Sequence, residues 1–148
     1  MMVNTTRFGK VEVDDQRIIT MSNGILGFPT YTRYVLLHPN EDSFFYWLQC
    51  IESPDLAFVV TDPRLFVSSY RIPFKHEQMQ ELGINSLDEA EVFVIVNKHK
   101  DMLTGNLQGP LVINVQRCTG QQLVLSDRRF TTRVPLVELT CGAEAMSA

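Results

Sequence analysis

The chain has 148 residues, 45% of them hydrophobic and 20% charged, which is the size and composition of one soluble globular domain. Its 13 Lys and Arg against 17 Asp and Glu give a formal charge of −4, which disfavours direct gripping of nucleic-acid phosphates and suits a basic protein partner. The 3 cysteines contain no C-x-x-C pair, so neither a disulfide framework nor a zinc knuckle is expected; the N-terminus MMVNTTRFGK has no apolar signal core and no apolar run approaches a membrane span, so a reducing cytoplasm fits best.

Along the chain, Phe8-Gly9-Lys10-Val11-Glu12-Val13 alternates at period two and predicts a half-buried strand. Arg17–Met21 predicts a second, joined to the first as a hairpin through an acidic turn at Asp14 and Asp15. Gly24-Ile25-Leu26-Gly27-Phe28-Pro29 is a loop expected to fold back as an apolar plug, because burying Ile25, Leu26 and Phe28 gains about 1.5–3 kcal/mol each. Tyr34–Leu37, Phe44–Cys50 and Ala57–Thr61 follow as strands rich in aromatic and β-branched residues, the last stopped by Asp62-Pro63. Lys75–Leu82 predicts one short helix, anchored by Met79 and Leu82 and capped by Gly83, and Ser86–Glu89 has the capping-box spacing of a further turn. Val92–Val96 and Leu111–Val115 read as buried strands on either side of a second irregular loop, Gly105–Pro110. Gly120 marks a turn into Gln122–Leu125, predicting a hairpin with the preceding strand. These strands are too closely spaced for βαβ crossovers. The expected fold is mainly β, a small antiparallel β-barrel-like domain with a short helical insertion, closed because closure removes vulnerable edges. Residues 1–136 are assigned to this domain and 137–148 to a flexible C-terminal tail.

The catalytic motifs are missing: no phosphate-binding loop, dinucleotide fingerprint, zinc-protease helix or nucleophile elbow occurs. His38, His76 and His99 are far apart and read as surface or loop residues. Cys50 and Cys118 lie in apolar strand-like runs and read as buried structural thiols. Glu52 with Asp55, and Glu89 with Glu91, read as solvated charges, as do Arg128, Arg129 and Arg133 beside Asp127. No catalytic, cofactor or metal site is expected. Tyr70 and Phe74 alternate around a polar stretch and are candidate anchors for a partner, with closure of the barrel rim as the alternative. Glu77 and Glu81, one helical turn apart, suit a basic partner. Asn106, in the Gly105–Pro110 loop, serves either the loop's own backbone or a partner's main chain. Two rival readings stay open, a small-ligand barrel with a hollow apolar interior and a hydrolase with titratable groups around a cleft.

Several segments in order resemble the FliW family of flagellar assembly factors. They are Phe8–Val13, Ile18-Ile19, Gly24–Phe28, Phe45-Tyr46-Trp47-Leu48-Gln49, Asp55–Val60, Asp62-Pro63, Asn106-Leu107, Gly109–Asn114, Gln122–Leu125 and Thr132-Arg133-Val134-Pro135-Leu136. The match runs from about Thr5 to Leu136. The resemblance implies a cytoplasmic bacterial protein with a compact β-barrel-like fold and no cofactor. It also implies two protein partners, the RNA-binding translational repressor CsrA and flagellin. By that account, holding CsrA away from its RNA surface releases flagellin mRNA for translation, and accumulating flagellin displaces CsrA again; a flagellin-only chaperone is the alternative. Two departures stand out. Val134 occupies the place of the family's terminal His, and Arg71 and Pro73 break an edge that tends to be acidic in the family, which would weaken repulsion of RNA there.

Overall fold

The computed structural model describes residues 1–138. Eleven strands and one α-helix make up the fold: β1 Met2–Thr5, β2 Gly9–Glu12, β3 Ile19–Met21, β4 Arg33–Leu37, β5 Phe45–Cys50, β6 Ala57–Thr61, α1 His76–Leu82, β7 Glu91–His99, β8 Met102–Gly105, β9 Leu111–Asn114, β10 Thr119–Gln122 and β11 Val134–Glu138. The strands β7-β6-β5-β4-β3-β10-β9 pair in that order, and β9 pairs back onto β7, which closes a seven-stranded barrel. The fold class is therefore the one read from the sequence. One pair departs from the antiparallel rule: β10 runs parallel to β3, with Thr119 opposite Thr20.

The strand β7 is the hinge of the architecture. On one edge its first half, Glu91–Phe93, pairs with β9, and its second half, Val96–His99, pairs with β8. The barrel closes through the first half, while the second half leads into a flap in which β11 adds to β8. Both faces of β7 are covered, which explains its unbroken apolar run. Phe93 points into the barrel with Met21, Ile25, Tyr34, Leu48, Val60, Leu111 and Ile113. Val92 and Val94 point outward into a second core with Tyr70, Leu82, Ile84, Leu107, Val112, Leu123, Leu125 and Phe130.

Two covers lie on the barrel wall. The β1–β2 hairpin lays Val3 and Val13 on Val35. On the other side, the segment leading through α1 and the chain after β10 cover the outer face of β7 and β9.

Several local expectations need correction. The strand around Phe8–Val13 does not pair with Arg17–Met21; it pairs with β1, and β3 pairs instead with β4. Asp14, expected in a hairpin turn, caps a short 3-10 turn over Asp15–Arg17 by accepting from the Gln16 N–H at 2.9 Å. That turn carries the chain from the cover to the barrel wall. The second hairpin exists, but its turn spans Val115–Cys118, with Cys118 at φ 52°. Gly120 sits inside β10, where the Met21 sulfur packs so closely that a Cβ would come within 2.5 Å of it. Cys118 is accordingly a half-buried turn residue and not a buried strand thiol, whereas Cys50 is buried in the barrel and burial pushes its thiol pKa up. The last strand runs to Glu138; the rest of the segment expected as a tail, with Cys141, lies outside the described residues.

Candidate partner-binding surface

The helix and its flanks carry most of the nominated residues. Lys75 precedes α1 and its backbone N–H donates to Gln78 Oε1 at 3.0 Å; Gly83 ends the helix at φ 72°, a left-handed cap that an L side chain resists. A Cβ at Gly83 would also meet the Arg117 guanidinium at 2.5 Å. Leu82 is buried beneath the helix, and Met79 and Phe74 pack half-buried on the same core. This fixes the opposite face outward, so Glu77 and Glu81 are exposed, Glu81 accepting from Gln121 Nε2 on β10 at 2.6 Å.

The nominated residues separate on inspection. Tyr70 is only 2% exposed, its hydroxyl donates to the Leu107 carbonyl at 2.6 Å, and its ring meets Phe130 edge-on at 4.7 Å. Burial raises its phenol pKa well above the usual tyrosine value. It therefore closes the second core and offers a partner no surface. Phe74 offers only part of its ring. Arg71 is exposed, but its Nη1 folds back to donate to the carbonyls of Ser68 at 3.0 Å and Tyr70 at 2.8 Å. Asn106 serves its own loop, its Oδ1 accepting from the Gly109 N–H at 3.0 Å. Of the five residues, only Glu77 is both exposed and part of a wider run of like charge.

That surface is the acidic run from Glu77 to Glu91. Glu77, Glu81, Asp88, Glu89 and Glu91 fall in it with no Lys, Arg or His between them, and all five are exposed. Glu89 is held by the backbone N–H groups of Asn85 and Ser86, the second at 3.4 Å, which completes the reciprocal half of the expected cap. Glu91 begins β7 opposite Ile113, so the run extends along the chain from α1 to the β7–β9 seam. The signal was readable as a charge run in the sequence, where only single residues were picked from it.

The remaining chemistry-bearing groups are dispersed. His38 stacks on Tyr46 at 4.1 Å, its Nε2 lies 2.8 Å from the Ser43 carbonyl, and His76 bonds to Gln80. Among the described residues no group of three or more His, Cys, Asp or Glu is placed to hold a metal ion. Glu52 accepts from the Thr32 and Arg33 N–H groups at 2.8 and 3.0 Å, and those bonds hold its carboxyl below the usual range. The barrel interior is filled by Met21, Ile25, Tyr34 and Leu48, all almost fully buried.

A protein-family model described as FliW protein matches residues 2–136. The chain belongs to the FliW family. It is 39% identical to the flagellar assembly factor FliW of Geobacter sulfurreducens over 98% of this chain and 92% of that one. It is 36% identical to the FliW of Bdellovibrio bacteriovorus over 92% of this chain and 79% of that one. A crystal structure of a flagellar assembly factor FliW superposes with a TM-score of 0.84 at 29% identity, covering 92% of this chain and 96% of that one. FliW proteins are flagellar assembly factors and not a known enzyme family, and among the described residues no helix is long and apolar enough to cross a membrane.

Proposed function

We propose that the chain acts in the cytoplasm as a non-enzymatic regulator of flagellar assembly, binding the translational repressor CsrA and releasing it when flagellin binds. The observation that carries this reading is the exposed acidic run Glu77–Glu91, on a chain of the FliW family. A protein that grips RNA must present a basic surface, and an acidic face of five carboxylates both steers such a protein in and opposes the phosphates competing for it. The switch is thermodynamic: flagellin lowers CsrA affinity only if the two cannot be held equally well at once.

The test is a calorimetric titration of the full chain against CsrA, repeated with flagellin present. Saturable binding that weakens at least tenfold with flagellin supports the whole reading. Flagellin binding without any CsrA binding would leave a flagellin chaperone and remove the translational role. Reversing Glu77 and Glu81 to Lys together weakens CsrA binding; the Glu81 change also removes the acceptor of the Gln121 Nε2 bond, so the unfolding midpoint of the variant is measured alongside.

A further inference from the structure

The corner where β7, β8 and the start of β11 meet carries a groove of about 360 Å³, lined chiefly by Lys98, His99, Thr104, Asn106, Thr132 and Arg133. Among the described residues no carboxylate lines it, on a chain that has 17 acidic residues against 13 basic ones. Among the described residues Lys98 and Arg133 belong to no ion pair, whereas Arg129, from the same basic stretch as Arg133, is held by Asp127 at 2.8 Å. Asn106 is oriented by its loop: with Oδ1 committed to the Gly109 N–H, the Nδ2 amide is the side chain's free donor. Donors and positive charge thus converge on one concavity.

The neighbouring backbone narrows the choice of ligand. The edge of β11 is a poor template for an added strand, because Pro135 has no N–H and the register shifts between Pro135 and Val137. Recognition here falls to side chains. A nucleic-acid backbone needs a continuous basic stripe, and this groove is a local one on an acidic chain. A single carboxylate matches the planar guanidinium of Arg133 through two parallel N–H bonds, with the Lys98 ammonium adding charge. We propose that this groove receives a carboxylate side chain from an acidic protein segment. It is a separate site of opposite sign to the Glu77–Glu91 run, and it stands whether or not that run binds CsrA.

The experiment follows amide and side-chain resonances of the isotope-labelled full chain. Three probes are titrated: a short peptide carrying two glutamates, the same peptide with glutamines, and inorganic phosphate. Saturable shifts at Asn106 Nδ2 and Arg133 Nε with the glutamate peptide alone are expected. Arg133→Gln should weaken that binding about tenfold and Lys98→Gln about threefold, because each removes a charge-assisted donor. Both residues are exposed, and an unchanged spectrum elsewhere confirms the fold of each variant. Equal shifts with the glutamine peptide, or no shifts, would overturn the proposal. Binding of phosphate in preference to the glutamate peptide would overturn the carboxylate assignment and leave a phosphate site.

Discussion

Two loops of similar make-up, Gly24–Pro29 and Gly105–Pro110, each carry one leucine between glycines and end in proline, yet Leu107 is fully buried and Leu26 is 65% exposed. The difference lies in the backbone. Leu107 donates its N–H to the carbonyls of Gly105 and Thr131, both at 3.1 Å, and its own carbonyl accepts the Tyr70 hydroxyl, so the loop is drawn under the second core. In the other loop Ile25 alone supplies the plug. A bond of 2.6 Å from the Phe28 N–H to the Ile25 carbonyl then closes a tight turn with Gly27 at φ 91°. That turn points Leu26 outward, and Gln122 Oε1 fixes it there by accepting its N–H at 2.8 Å. Apolar content says that something in a loop should be buried; the hydrogen bonds decide which residue is.

The sharpest way to break this comparison is truncation of both leucines. Leu107→Ala should cost about 2–5 kcal/mol of unfolding free energy in a urea titration, the range for a filled core site. Equal loss from Leu26→Ser would contradict the assignment, since an exposed turn residue should move stability by no more than about 0.5 kcal/mol. Next comes Tyr70→Phe, which keeps the ring on Phe130 but leaves the Leu107 carbonyl without its hydroxyl donor, a loss of about 1–2 kcal/mol by the same titration. If Tyr70→Phe left stability unchanged but abolished partner binding, Tyr70 would be a contact residue after all.

The smallest effect is at Glu52, whose carboxylate accepts from the backbone at the start of β4. Its carboxyl is lowered by the Thr32 and Arg33 N–H groups, so the stability it contributes is present above the unfolded carboxyl pKa and is lost as pH falls through the folded one. Glu52 is exposed, and solvent screening holds the contribution to about 0.5 kcal/mol or less. Glu52→Gln should therefore flatten the acid limb of the stability curve slightly and leave neutral stability nearly unchanged.

Strand identity was legible wherever a continuous apolar run was bounded by turn residues, as at Tyr34–Leu37, Ala57–Thr61 and Val92–Val96. So was the helix, because Gly83 and the anchors Met79 and Leu82 state its end and its buried face. Partner choice between strands was not. Met2–Thr5 shows too short an alternation to announce β1, and without β1 the strand β2 had no visible mate except β3. The turn at Val115–Cys118 escaped because it contains no glycine and Cys118 takes positive φ, while the nearby Gly120 is required by the Met21 sulfur on the neighbouring strand β3. For the candidate surface the outcome was similar. The aromatic anchors were nominated by residue type, which cannot distinguish Tyr70 closing a core from Tyr70 facing a partner. The acidic run was written in the sequence, and the exposure of all five carboxylates gives it weight.

We propose that this chain frees flagellin mRNA by holding CsrA, and release of RNA from CsrA tests that directly. CsrA is bound to the labelled leader of a flagellin transcript, the full chain is added, and RNA release is followed by fluorescence anisotropy, with flagellin added last. The account predicts that RNA is released as the chain is added, that flagellin restores the RNA complex, and that reversing Glu77 and Glu81 to Lys blunts the release. RNA that stays bound to CsrA at tens of micromolar of the chain, roughly where even a weak specific complex forms, would contradict it.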